Sequence, residues 1–346
     1  MFENKSKSSI ESLGEFKLIH HLTDSFETNQ KNTVVGIGDD AAVLDSGEYF
    51  TLVTNDLLIE GVHFDFSYSP FKHLGYKAVA VNVSDIVAMN GVATQILVSV
   101  GLSSKISLEA IEEFYMGVKA ACEKYNIDLV GGDTSSSRSG MFVSVTAIGK
   151  VQKDKLVRRK GAKVGDLVCV SGDLGAAYTG YQLLEREKRI FLENPSVQPD
   201  LEGNDYILQR QLKPEARVDI VEILDEINVL PTAMIDISDG LSSELFHLAE
   251  HSEVGFRIYE DKLPIDPTAF QTARDLGLDP TICALNGGED YELLFTVSQL
   301  DYDKIKSNLD ITVVGYCTEK IEGVQMVSRN ENLYPLEAQG WTSFKG

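Results

Sequence analysis

Residues 73–89, HLGYKAVAVNVSDIVAM, form a long and mostly apolar segment with one carboxylate, Asp85, inside it. Apolar residues over this length predict a helix that belongs in a core. At the apolar spacing of that helix Asp85 is a buried charge, which is costly unless it is paired or holds a metal. Whatever surrounds the helix must therefore supply a partner or a cation site.

Other acids fall where such a site would form. Asp40 lies beside Asp39 in GIGDDAAVLD (36–45), a glycine turn with adjacent, mutually repelling carboxylates. Asp56 ends the predicted strand YFTLVTND (49–56), and Asp133 follows DLVGG in the predicted strand 127–134, which runs into a glycine turn. Asp236 and Asp239 flank the end of AMIDISDG, while Glu289 and Asp290 sit in NGGEDYELLF. In α/β folds ligands collect where strands end, so these acids can converge. Taken singly each has a plainer reading: a turn residue for Asp40, a helix N-cap for Asp133 or Asp239, a strand stop for Asp56. Their recurrence favours a shared site. Hard oxygen ligands with no accompanying His or Cys suit Mg2+ or Ca2+ rather than zinc.

Mg2+ is usually held by a few carboxylates together with substrate phosphates. GIGDD, VGGDT and SGDLGAA are glycine turns able to point N–H groups at an anion. The basic run Arg158–Arg159–Lys160 is either a solvated linker or part of that site. There is no GxxxxGK[ST] and no HRD…DFG set, which excludes a Walker-type site and a protein kinase.

At 346 residues the chain is long enough for about two domains. Strands and helices alternate through both halves, with further strands expected at 95–102, 140–151, 167–172, 233–238, 254–260, 292–297 and 311–316. Helices are expected at 14–26, 107–125 (with Ser107 as N-cap), 174–184 and 240–252, and residues 188–212 read as a polar excursion. The segment RRKGAKVGD (158–166) reads as the crossover between halves, giving α/β domains over 1–150 and 151–346. With 53 acidic against 31 basic residues the net charge is −22, which argues against nucleic acid and anionic membranes as partners. No apolar leader opens the sequence and no run approaches ~18 apolar residues, so a cytoplasmic protein is expected. Its four scattered cysteines read as buried thiols.

Ten segments in order, among them GIGDDAAVL, TNDLLIEGVHF, GYKAVAVNVSDIVAMNG, LVGGDT, SGDLGAA, IDISDGLSSEL, NGGEDYELLF and the terminal GW, resemble the thiamine-monophosphate kinase family. That family sits in the superfamily named for aminoimidazole ribonucleotide synthetase. The resemblance implies transfer of the γ-phosphoryl group of ATP to thiamine monophosphate, the last step in making thiamine diphosphate. It also implies a homodimer joined through the N-terminal sheet, and a C-terminal domain that covers the nucleotide and acceptor. Position by position it implies several Mg2+ ions held by Asp40, Thr54, Asn55, Asp56, Asp85, Asp133, Asp236 and Asp239. Asn55 stands where the family usually has Thr, so only a main-chain contact carries over there. ATP contacts fall on Tyr115, Gly132, Asp133, Arg159 and Ser238, and contacts to thiamine monophosphate on His63, Glu289 and Trp341. An acceptor that is itself an ionised phosphate needs no general base, and no catalytic base or covalent nucleophile is expected. The alternatives are another ATP-using member of the superfamily, such as a purine cyclo-ligase, or a non-catalytic Mg-nucleotide-binding protein.

Overall fold

The computed structural model describes residues 15–338. Helix α1 (Glu15–Thr23) precedes strands β1 (Thr33–Val35), β2 (Ala42–Asp45) and β3 (Tyr49–Ile59). Helix α2 (Phe71–Ala88), strand β4 (Val92–Ser103), helix α3 (Leu108–Tyr125) and strands β5 (Asp128–Ser137) and β6 (Phe142–Gln152) complete the first half. Its sheet has the order β1-β2-β3-β6-β4-β5 and is antiparallel except where β4 and β5 run parallel around α3.

The second half contains β7 (Leu167–Ser171), α4 (Ala176–Glu193), α5 (Asp205–Leu212), α6 (Val218–Glu226), β8 (Ala233–Asp236) and α7 (Leu241–Ser252). There follow β9 (Val254–Tyr259), α8 (Pro267–Asp275), α9 (Pro280–Asn286), β10 (Leu293–Val297), α10 (Tyr302–Ile305), β11 (Ile311–Glu319), β12 (Val324–Val327) and β13 (Leu333–Pro335). These strands form a second sheet, β13-β12-β9-β11-β7-β10-β8. The chain is thus a mixed α/β protein with two sheets, as the alternating pattern predicts. No described helix is long and apolar enough to cross a membrane.

Helix α2 is the pivot. It is buried over most of its length because one core joins its Ala78 and Val83 to Val145 of the first sheet and to Met234 and Phe295 of the second. It lies against α3 at a glycine crossing: a Cβ on Gly75 would come within 1.9 Å of the Phe114 carbonyl oxygen, and one on Gly117 within 1.9 Å of the Lys72 carbonyl oxygen. Ser107 caps α3 as expected, its hydroxyl accepting from the Ala110 N–H.

Two expected features differ. The excursion at 188–212 is mostly helical: α4 runs on to Glu193 and α5 covers Asp205–Leu212. The run EREKR is rich in good helix formers, and burial of Glu187, which accepts the Asp200 N–H, ties the α4 end to the loop after it. The glycines of VGGDT do not end their strand. Strand β5 continues to Ser137, and Gly132 (φ +151°) is required because a Cβ there would lie 1.8 Å from the Val98 carbonyl oxygen on β4. All four cysteines are free thiols, three buried and Cys122 half-buried.

Candidate active site

The acids meet where α2 passes between the two sheets. Strand alternation turns Thr54 and Asp56 toward α2, and the Thr54 hydroxyl donates to Asp85 Oδ2 at 2.5 Å. One residue earlier on α2, the Ser84 hydroxyl donates to Asp236 Oδ2 at 2.6 Å, joining the helix to the end of β8. Carboxylate oxygens of Asp40, Asp85 and Asp236 lie within 4.8 Å of one another. Asp85 is not fully buried: it opens on a cleft of about 860 Å³ while protein surrounds it on the other sides.

The electrostatics of this cluster are unfavourable as it stands. Burial, then the charges of Asp56, Asp236 and Asp40, push Asp85 well above the usual carboxylate range. Burial raises Asp236 to about 7, with Asp40 adding to it, and burial raises Asp56 to about 6. Asp40 is also raised by burial, although Arg159 opposes the shift with a 2.8 Å ion pair. Its second oxygen, Oδ2, is buried without a hydrogen-bond partner. Three crowded carboxylates, one with an orphaned oxygen, could hold a hard divalent cation. Asp239 and Ser238 line the same cleft. The main-chain N–H groups of both donate to Oε1 of the buried Glu244 on α7, at 2.8 and 3.0 Å.

Asp39 serves another purpose. Its side chain is fully buried, with Oδ2 at 2.7 Å from Arg158 Nε and Oδ1 accepting the Arg159 N–H, so it clamps the crossover segment to the first half. The amide of Asn55 is committed across the sheet to Ser144, the Val145 carbonyl and Thr146.

Another part of the cleft wall has a different character. His63 Nδ1 accepts the Ile59 N–H at 3.0 Å, which leaves the proton of a neutral ring on Nε2. Glu289 receives Lys77 Nζ at 2.6 Å and Gln211 Nε2 at 2.7 Å. Tyr68, Tyr178, Tyr181 and Glu185 line the wall around them. This wall sets tyrosine rings beside carboxylates that are themselves paired with Lys77 and Lys188, and its aromatic faces suit a cationic ring.

Three expected site residues are not brought into this cleft within one chain, and one expected motif is used otherwise. Asp133 and Gly132 are exposed on the edge strand β5. The sheet register runs Asp56–Val145–Val98–Gly132, three strand spacings or about 14 Å away. Tyr115 is half-buried on α3, packed edge-on against Phe114 at 5.4 Å. Trp341 lies outside the described residues. The N–H groups of SGDLGAA do not face open solvent: those of Gly175 and Ala177 donate to the buried Asp290 carboxylate, at 2.8 and 3.4 Å. Sequence reasoning missed Lys77, Asn82, Ser84, Gln211 and Glu244. Three of these are polar residues inside the same apolar helix that singled out Asp85.

The family described as AIR synthase related protein, N-terminal domain, matches residues 38–151. The thiamine-monophosphate kinase of Bacillus subtilis (strain 168) is 36% identical over 342 residues, covering 96% of this chain and all of the relative. That of Aquifex aeolicus (strain VF5) is 37% identical over 335 residues, covering 97% and 99%. The chain belongs to the thiamine-monophosphate kinase family. A solved structure described as AaThiL complexed with AMPPCP and TMP superimposes with a TM-score of 0.84 at 36% identity, covering 98% of this chain and all of that one. The chain that carries the carboxylate cluster and the cleft thus shares its fold with a protein described with AMPPCP and TMP together.

Proposed function

We propose that this chain transfers the γ-phosphoryl group of ATP to the phosphate of thiamine monophosphate, releasing ADP and thiamine diphosphate, as the last step in making that product. The observation that carries the reading is one cleft that holds both the Asp40–Asp85–Asp236 cluster and a wall of Glu289 and tyrosines, with His63 also in its lining. A phosphate with a cationic aromatic tail has the charge pattern that spans them.

Asp40, Asp85 and Asp236 would hold Mg2+, with Thr54, Asp56, Asp239 and the Asn55 carbonyl around them. Bound Mg2+ supplies the positive charge that neutralises two polyanions brought together. An oxygen of the acceptor phosphate attacks Pγ in line as the bond from Pγ to the β–γ bridging oxygen breaks. The acceptor is ionised, so no side chain has to remove a proton. Arg159 and Ser238 serve the nucleotide, and His63 offers its Nε2–H to the acceptor phosphate. Residues 1–150 carry most of the metal acids, and residues 151–346 close over nucleotide and acceptor.

A second copy completes the arrangement. The outer face of the first sheet presents Leu57, Ile59 and Phe142, each more than a third exposed, and the edge strand carrying Gly132 and Asp133 borders it. Covering that face in a homodimer would bury these residues and let Asp133 and Gly132 reach the partner's nucleotide.

The deciding experiment is incubation of the purified chain with ATP, Mg2+ and thiamine monophosphate. Formation of thiamine diphosphate and ADP in equal amounts is expected. ATP hydrolysis without acceptor phosphorylation would refute the reading.

A further inference from the structure

Past its first turn, α2 carries two charged residues, Asp85 and Lys77. Lys77 is 3% exposed, and no step of the proposed reaction uses it. A lysine this deep is costly unless paired, and its partner is Glu289, 212 residues away and 2.6 Å from Nζ. The other Glu289 oxygen accepts from Gln211 on α5. Three separate pieces of chain meet at one carboxylate.

The backbone under that carboxylate is held against its preference. Glu289 and Tyr291 both adopt left-handed conformations, with φ of +58° and +51°. The Glu289 N–H donates to the Ser238 carbonyl at 2.7 Å, and the Tyr291 N–H to the Ile237 carbonyl at 2.9 Å. Asp290, between them, accepts the Gly175 N–H that opens α4. The segment is pinned on both sides, and Lys77 and Gln211 fix the direction of the Glu289 side chain, which lines the cleft.

The helix also sets distance. At the rise of an α-helix, eight residues separate Lys77 from Asp85 by about 12 Å along the axis. An acceptor whose phosphate lies at the acid cluster presents its ring system near Lys77, and its phosphate far from it. We infer that Lys77 is a positioning residue for the ring end of the acceptor, acting through Glu289. It holds that carboxylate where it meets the amino-substituted ring and the adjacent cationic ring. This inference rests on the proposed reaction with thiamine monophosphate.

The test uses the full chain with Lys77→Met, Glu289→Gln and the double variant. Lys77→Met should raise KM for thiamine monophosphate at least ~10-fold, with kcat changed less than about twofold and KM for ATP unchanged. The inhibition constant of thiamine, which has the rings without the phosphate, should rise by the same factor. The double variant should be no worse than Glu289→Gln alone. A loss confined to thiamine monophosphate would assign Lys77 to the phosphate and overturn the inference. So would additive losses in the double variant, or an unchanged KM. If Lys77→Met does not fold, Lys77→Gln is measured against the same outcomes. Turnover by the unaltered chain reads the proposed reaction itself, whereas the ratio of variant to parent reads the role of Lys77.

Discussion

The Thr54 hydroxyl and Asp85 Oδ2 are 2.5 Å apart across 31 residues of sequence, and this contact ties the middle of β3 to the last turns of α2. It satisfies one oxygen of Asp85 and leaves the repulsion from Asp56, Asp236 and Asp40 in place. Replacing Asp85 by asparagine removes that repulsion. The variant should melt at a higher temperature than the parent in chelator, lose the rise in melting temperature that Mg2+ gives the parent, and drop in kcat by at least ~100-fold. Thermal unfolding with and without Mg2+, together with steady-state turnover, measures all three. Turnover near that of the parent at saturating Mg2+ would remove Asp85 from the reaction.

The raised acids set a pH dependence with a definite sign. Asp56 and Asp236 stand at about 6 and about 7, against 3.8 for the same group unperturbed. The folded protein therefore holds more protons than the unfolded chain across that window, and metal-free stability falls as pH rises through it. Cation binding needs the deprotonated acids, so Mg2+ affinity rises over the same range and binding releases protons. Denaturation midpoints in chelator at pH 5 and pH 8, and calorimetry in buffers of different ionisation enthalpy, check the two halves of the statement. A midpoint that climbs with pH would contradict it.

If Asp133 serves the partner's site, two inactive variants should repair one another. Co-refolding equal amounts of Asp85→Asn and Asp133→Asn chains gives mixed dimers in which one of the two sites has both acids intact. About a quarter of parental activity should return, because half the dimers are mixed. No recovery, with mixed dimers verified by native mass spectrometry, would mean that both acids act within one chain.

On the proposed mechanism His63 contributes a donor and carries no phosphoryl group: with Nδ1 accepting the Ile59 N–H, a neutral ring keeps its proton on Nε2 and presents no nucleophilic nitrogen to Pγ. His63→Asn should raise KM for thiamine monophosphate more than it lowers kcat. Incubating the parent with γ-labelled ATP alone should leave the protein unlabelled. Label that chases into thiamine diphosphate when acceptor is added would establish a phosphoenzyme instead.

Much of this site is legible in the sequence because a carboxylate in an apolar helix and carboxylates at strand ends both violate local expectation, and both violations point to one place. Lys77, Asn82 and Ser84 break the same apolar pattern as Asp85. They stay inconspicuous in the sequence because lysine, asparagine and serine lack the metal-ligand signature of the acids. Gln211 and Glu244 leave no such trace: one lies on a helix that reads as polar loop, and the other accepts two main-chain N–H groups that only the turn at 238–239 brings to it. SGDLGAA misled for the opposite reason. Its glycine spacing suits an anion, and the anion is supplied from within by Asp290, more than a hundred residues on. Asp133 is visible as an acid, but the number of strands between it and Asp56 appears only once β4 and β6 are threaded between β3 and β5.

On the roles proposed above, one helix bears both the acid that would face the cations and the lysine that fixes the ring-side carboxylate, so α2 would work as a ruler. Its rise, and no loop, sets the span between the point where phosphorus is transferred and the point where the ring is recognised, about 12 Å along the axis. On the roles proposed here, an acceptor with one phosphate fills that span. Thiamine without phosphate leaves it short, and thiamine diphosphate overruns it, so the product, once made, no longer fits as an acceptor and the reaction stops after one transfer.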